Sequence, residues 1–134
     1  MFAAKQTKPN GRIDTLIGAG SRVEGDIHFV GGLRIDGAVK GNVIADDAGT
    51  VVLSEQASVE GEIRVAHAVV NGKVAGPIYG SETVELQARA NVSGDVHYKT
   101  LEVRIGAIVQ GRLVHNAELR NADKVVSFKS GAAE

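Results

Sequence analysis

Four histidines are the first candidates for chemistry, because imidazole is a common metal ligand and a general base near neutral pH. Successive histidines are separated by 39, 30 and 18 residues, so no pair has the short spacing of a metal-binding motif. These intervals also share no common register along the chain. The sequence therefore predicts solvated surface histidines and no metal site at His28, His67, His97 and His115.

Three short segments contain other residue types that can do chemistry. Gly18–Ser21 resembles a phosphate loop, but no Gly-Lys-Ser/Thr sequence and no following helix accompany it, which favours a turn. Glu60 and Glu62 lie two residues apart on one strand face, where solvated carboxylates are the default. Asp46–Gly49 lacks the repeat of calcium-binding solenoids and is interpreted as a loop. We therefore predict no enzymatic activity and no cofactor.

The bulk composition excludes several classes of protein. The chain has 134 residues, enough for one domain, and carries 15 Lys and Arg against 16 Asp and Glu. Its net charge of −1 argues against nucleic acid as the main partner, because phosphate binding needs a cationic surplus. The absence of cysteine excludes disulfides and thiolate metal sites. No apolar stretch is long enough for a membrane span, and the first 20 residues lack the apolar region of a signal peptide.

A repeat containing glycine organises the elements that would position any site. The pattern apolar-x-Gly-x-apolar occurs six times, with its glycines 16, 20, 15, 18 and 17 residues apart. The apolar residues are mainly Val, Ile, Ala and Leu, and aromatic residues make up only 4% of the chain. This composition favours a thin β architecture with a narrow core. The repeated glycines are Gly25, Gly41, Gly61, Gly76, Gly94 and Gly111.

Alternation of apolar and polar residues with period 2 accompanies the repeat, and no helical period competes with it between Leu16 and Leu113. The sequence therefore predicts a β-solenoid of about six windings, roughly 29 Å long at a spacing of about 4.8 Å per winding. A left-handed helix of hexapeptides is the alternative, because apolar residues six apart occur at Leu53, Val59 and Val65. The variable turn length does not hold a strict register of 18 residues, and so favours a right-handed parallel β-helix.

Three segments of the repeat region resemble the bactofilins, a bacterial family of polymer-forming cytoskeletal proteins. They are Leu33–Val43, Ala57–Ile63 and Val92–Tyr98, and the likeness extends over Leu16–Leu113. The resemblance implies a right-handed β-helix between short unstructured tails, and polymerisation that needs no nucleotide. It also implies roles in cell shape and in placing envelope-building enzymes at the inner face of the cytoplasmic membrane.

The resemblance and the extent of the repeat together predict three regions. Residues 16–113 form the polymerising β-helix, residues 1–15 form a flexible tail, and residues 114–134 form a second flexible tail. The start of the chain resembles the membrane-targeting tail of many family members. Its expected membrane-targeting residues are Met1, Phe2, Lys5 and Lys8, and an anionic membrane surface is the expected partner.

A solenoid has two open ends with unpaired backbone groups, and such edges bind further strands unless a cap covers them. We therefore expect the chain to be its own main partner. Ile108 stands where earlier copies of the repeat have Arg22, Ser58 and Asn91, which indicates a subunit contact or a site that the C-terminal tail covers. The family often has phenylalanine in this winding, where this chain has Ile108-Val109. The expected contact residues are Leu16, Ile17, Val23, Leu101, Val103, Ile108, Val109 and Leu113, and the last winding also offers Ile105.

Two other functions remain open from the sequence. An acyltransferase on a hexapeptide β-helix would need a protruding loop and a catalytic histidine between subunits, and the inserts between repeats are only a few residues long. A monomeric adaptor would instead bind envelope proteins along the sides of the solenoid.

Overall fold

Short strands account for all of the regular secondary structure in residues 13–46 and 48–116, the part of the chain that this computed structural model describes. Val, Ile, Thr and Leu supply many strand positions, in keeping with the preference of β-branched side chains for a pleated surface. In chain order the strands are β1 (Thr15–Ile17), β2 (Arg22–Glu24), β3 (Ile27–Phe29), β4 (Gly32–Ile35), β5 (Ala38–Lys40), β6 (Val43–Ala45), β7 (Thr50–Leu53), β8 (Ser58–Glu60), β9 (Ile63–Val70), β10 (Lys73–Ala75), β11 (Ile78–Leu86), β12 (Asn91–Ser93), β13 (Val96–Tyr98), β14 (Thr100–Val103), β15 (Ile108–Gln110) and β16 (Leu113–His115).

The strands stack in parallel into a solenoid of about six windings, which confirms the predicted fold class. Each winding contributes one segment to each of three faces. Face 1 consists of β1, β4, β7, the end of β9, the end of β11 and β14. Face 2 consists of β2, β5, β8, β10, β12 and β15. Face 3 consists of β3, β6, the start of β9, the start of β11, β13 and β16. The right-handed sense stays a prediction.

The core is a set of columns in which one apolar residue per winding stacks on its counterpart. On face 2 the middle residue of each strand points inward, and in the four inner windings these residues are at most 1% exposed. Burying a side chain of this kind contributes about 1.5–3 kcal/mol. The four inner members of this column are Val39, Val59, Val74 and Val92. The narrow interior explains why the chain needs few aromatic residues.

A column of glycines forms the corner between faces 2 and 3, where backbones of successive windings approach most closely. Gly61 has a φ of +153°, and a Cβ there would lie 2.1 Å from the carbonyl oxygen of Gly41. The same approach recurs at Gly94, whose added Cβ would lie 2.5 Å from the carbonyl oxygen of Gly76. No larger residue fits this position, so the repeat marks the place where only glycine allows the windings to stack.

The variable length of the repeat arises at the corners. The corner between faces 1 and 2 has two residues in the second and fourth windings, Asp36-Gly37 and Asn71-Gly72. In the other four windings it has four residues. A Cβ at Gly37 would lie 2.4 Å from the carbonyl oxygen of Ser21 in the winding before, so the short corner also requires glycine. Insertions thus change the corners and leave the stacked strands in register, which a strict hexapeptide helix would not allow.

Polar side chains that follow the glycines link successive windings. Oδ1 of Asp26 accepts a hydrogen bond from the backbone N–H of Asn42 at 3.0 Å, and Oδ1 of Asn42 accepts one from Glu62 at 2.9 Å. The next position is Pro77, which has no N–H to satisfy. Buried or half-buried backbone donors need partners, so these short side chains complete the hydrogen bonding of the corner.

Asp95 makes the last link of this series. Its Oδ1 accepts from the backbone N–H of Arg112 at 3.0 Å, and its Oδ2 accepts from Nη2 of Arg112 at 2.9 Å. The guanidinium hydrogen bond, and next the backbone hydrogen bond, lower the pKa of Asp95 below its ordinary 3.8. The ionised carboxylate therefore stabilises the attachment of the last winding.

Replacing a column glycine should destabilise the solenoid strongly. We expect Gly61→Ala to lower the free energy of unfolding by about 2–4 kcal/mol, because the new Cβ clashes with backbone and the φ is strained. Gly18→Ala is the control, since a Cβ at Gly18 has nothing within 4 Å, and it should change stability by less than about 0.5 kcal/mol. Denaturant unfolding followed by circular dichroism at one protein concentration measures both, and equal effects would contradict the close approach.

Removing the Asp95 carboxylate should loosen the last winding in a pH-dependent way. Because the folded pKa is lowered, the stabilisation is present above pH 3.8 and is lost as the pH falls through the lowered value. Asp95→Ala should therefore speed hydrogen exchange at the Arg112 amide above that pH. Asp95→Asn keeps an acceptor for this amide, so it should retain more protection than Asp95→Ala but lose the acid dependence. An unchanged acid profile in Asp95→Asn would contradict this role.

Candidate functional site: the open ends

The two terminal windings leave strand edges unpaired within the described residues. The strands β1, β2 and β3 pair only with the second winding, and β14, β15 and β16 pair only with the fifth. A strand that is paired on one side presents backbone N–H and C=O groups on its other side. Each end therefore offers three short edges, one from each face.

The core is also open at the first winding. Ile17, Val23 and Ile27 occupy inward columns of faces 1, 2 and 3, and each is only half-buried. Their counterparts one winding on, Ile35, Val39 and Val43, are completely buried. The difference arises because the first winding has no neighbour on its outer side among the described residues.

The last winding repeats this situation at the opposite end. Leu113 is 48% exposed and Val103 is 49% exposed, although both point along inward columns. Their neighbours in the fifth winding, Val96 and Leu86, are completely buried. Leu101 and Val109 complete the inward set of this end and are half-buried.

Ile108 lies where the repeat predicts it, in an outward column of face 2. It pairs in register with Asn91, and the column continues through Lys73, Ser58, Ala38 and Arg22. Ile108 is 49% exposed in the last member of this column. An apolar side chain thus stands beside the open end, in a column whose other members in the first, third, fourth and fifth windings are polar or charged.

Leu16 lies on the other side of its strand from the core. It pairs in register with the outward Arg34, while Thr15 and Ile17 take the inward positions. Its side chain therefore belongs to the rim of face 1 at the first winding, where it is 58% exposed. Six of the eight expected contact residues point along inward columns at the two ends, and Leu16 and Ile108 lie on the rims beside them.

Three further apolar residues lie at the ends; the sequence had named Ile105 among those of the last winding, but not Val30 or Ile27. Ile105 is 98% exposed at the corner of the last winding, and Val30 is 64% exposed at a corner of the first. Ile27 is an inward residue of the first winding. Alignment of the corners sets Ile105 apart, because the same place in the fifth winding holds Ala88 and in the third holds Glu55.

The histidines have ordinary surface partners. His28 Nδ1 lies 3.0 Å from Asp46 Oδ1, and the ring of His97 stacks on Tyr79 at 4.5 Å between centroids. His67 contacts a threonine hydroxyl, and His115 contacts a backbone carbonyl oxygen. In residues 13–46 and 48–116 no group of three or more His, Cys, Asp or Glu side chains is arranged to hold a metal ion.

The membrane-targeting residues expected from the sequence, Met1, Phe2, Lys5 and Lys8, lie outside the described residues, as does the chain after Asn116. Within the described part, no helix has the length and apolar character needed to cross a membrane.

Comparison with known proteins agrees with this architecture. The family model described as "Bactofilin: Polymer-forming cytoskeletal" matches residues 15–114. Bactofilin BacP of Myxococcus xanthus (strain DK1622) is 26% identical over 114 residues, which are 84% of this chain and 47% of BacP. Bactofilin BacO of the same organism is 28% identical over 100 residues, 75% of this chain and 78% of BacO. No solved structure is significantly similar to the chain.

The chain spans about half the length of BacP. The family match nevertheless covers all sixteen strands apart from the final residue of β16. The repeat, the solenoid and the matched range agree, and the chain belongs to the bactofilin family of polymer-forming cytoskeletal proteins.

Proposed function

We propose that this chain assembles end to end into filaments that serve as a structural scaffold. The observation that carries the proposal is that, in residues 13–46 and 48–116, all six terminal strands pair on one side only. Stacking one solenoid on another supplies these edges with partners and covers the inward apolar residues at both ends. Self-association also follows from membership of a polymer-forming family.

The contact between ends supplies enough free energy for the subunits to assemble without a nucleotide. Each apolar side chain removed from water contributes up to about 1.5–3 kcal/mol. Leu113, Val103 and Ile108 are each about half exposed in the last winding, and Ile105 is almost fully exposed. Several such residues at each end offset the entropy lost on association. We therefore expect filaments from the purified protein alone.

A scaffold role without enzymatic activity fits the corners of the solenoid. The longest corners between strands have four residues within the described range, so no protruding loop is present there to build a cleft between subunits. An acyltransferase would need such a loop. The relatives found are bactofilins, and their family is described as cytoskeletal.

We also propose that the filament lies at the inner face of the cytoplasmic membrane, where it supports cell shape and places envelope-synthesis proteins. The support is the sequence of the first residues, in which Phe2, Lys5 and Lys8 combine one apolar and two cationic side chains. Each basic residue near an anionic surface contributes about 1 kcal/mol. A filament carries many copies of this segment, so weak individual affinity becomes stable association.

Placing a charge beside the open end should block assembly. We expect Ile108→Arg to leave the windings folded and to abolish filaments, because a guanidinium at this rim must be desolvated when two ends meet. Ser58→Arg is the matched control, since it adds the same charge to the same column three windings away from the last. Sedimentation and electron microscopy measure assembly, and circular dichroism measures folding.

Two outcomes would contradict the proposal. A normal yield of filaments from Ile108→Arg would show that the last winding is not part of the interface. If the native protein stays a single particle at high concentration, end-to-end assembly is excluded.

Deleting residues 2–8 should release the protein from membranes. We expect the filaments to persist and their sedimentation with anionic liposomes to fall, because the deletion removes Phe2, Lys5 and Lys8. Lys5→Ala with Lys8→Ala tests the charges separately and should reduce binding partly. Unchanged binding of the deletion variant to the liposomes would exclude a membrane role for this segment.

A further inference from the structure

One outward column of face 1 has an ordered sequence of charges. From the first winding to the last, its side chains are apolar, positive, apolar, apolar, negative and negative. The two central members are half-buried valines in the third and fourth windings. The column consists of Leu16, Arg34, Val52, Val69, Glu85 and Glu102.

The neighbouring column of face 1 contains mostly short side chains. In the four windings after the second it holds the buried Thr50, the half-buried His67 and Thr83, and the exposed Thr100. His67 Nδ1 lies 2.9 Å from the hydroxyl of Thr83, which keeps the imidazole close to the sheet. A second sheet can therefore approach this face at the usual distance of about 10 Å.

We propose that face 1 binds face 1 of a second copy that runs in the opposite direction along the filament. This inference rests on the proposed filament. A two-fold axis parallel to the strands, placed between the third and fourth windings, brings each winding opposite its counterpart from the other end. Arg34 then faces Glu85 of the second copy, and Val52 faces Val69 of the second copy. The contact is isologous, so each pair forms twice.

The charges select this orientation over the parallel one. With both copies running in the same direction and this column placed against itself, Arg34 would face a second Arg34 and Glu85 a second Glu85, and like charges in contact are destabilising. The other faces lack this complementarity. Under the same rotation Lys40 of face 2 would face Ser93, and Arg64 of face 3 would face Tyr79.

The charged groups of face 1 retain capacity for a second partner. Nε of Arg34 donates to Asp36 at 3.0 Å, yet the Arg34 side chain is 46% exposed and a guanidinium has five N–H donors. The carboxylate of Glu85 accepts from Gln87 at 2.9 Å and from Arg104 at 3.5 Å, and a carboxylate has about four acceptor sites. The new contacts extend these surface pairs into a network between copies.

The size of the face explains why it acts only in filaments. A face about 29 Å tall and about 13 Å wide offers roughly 380 Å² per copy, which is half of the roughly 800 Å² per partner in a standard interface. Two single solenoids should therefore not stay paired through face 1. Along two filaments the same contact repeats at every subunit, and the total becomes stable by avidity. The exposed charges make this pairing sensitive to salt.

Charge reversal tests the pairing. We expect the native protein to form paired filaments at low ionic strength and single filaments at about 0.5 M salt, because the charges are then screened. Arg34→Glu and Glu85→Arg, each alone, should give single filaments at low salt. The double variant Arg34→Glu with Glu85→Arg should restore pairs, since the opposed charges are again opposite in sign. Electron microscopy measures filament width, and low-speed sedimentation measures the paired fraction.

Lys73→Glu is the control, because it reverses a charge on face 2 and should leave the pairs intact. Paired filaments from both single variants, or single filaments from the double variant, would overturn the proposal. So would native filaments that are single at low salt, although end-to-end assembly would then still stand. A complete absence of native filaments would instead refute the proposed function.

Discussion

The structure depends on one constraint: the backbone of each winding obtains its hydrogen bonds from the windings on either side. In the part of the chain that the structure describes, no strand pairs with the next strand in sequence, and parallel partners lie one whole winding apart. Stacking at this spacing requires glycine wherever backbones meet at the corner between faces 2 and 3. Within the described residues, the same constraint leaves the first and last windings paired on one side only, so the requirement that builds the core also leaves strand edges and half-buried apolar residues at both ends.

The columns explain why residues that looked capable of chemistry have structural roles. Residues about 17 positions apart become direct neighbours, and they interact along the outside of the solenoid as well as inside it. Arg64 lies 4.3 Å over the ring of Tyr79, which in turn stacks on His97 at 4.5 Å. These three residues belong to three successive windings of face 3. A sequence motif read along the chain cannot show such a stack, whereas alignment of the windings does.

The glycine repeat was sufficient to predict the solenoid, its six windings and the outward position of Ile108. It was not sufficient to place Leu16, because a strand of three residues at the start of the series gives too little alternation to assign its faces. Val30 was missed because corner residues follow no period. The repeat places Asp95 and Arg112 one winding apart, because each follows a column glycine, but it does not show that their side chains pair.

The two short corners between faces 1 and 2 lie two windings apart, which defines a unit of length for the solenoid. The two short corners end in Gly37 and Gly72, which are 35 residues apart, and the column glycines that follow them have the same separation. Gain or loss of one such unit would change the height of the solenoid by about 9.6 Å, two strand spacings, and would preserve both terminal windings. The height of the solenoid can therefore change in discrete steps without any change to the first or last winding.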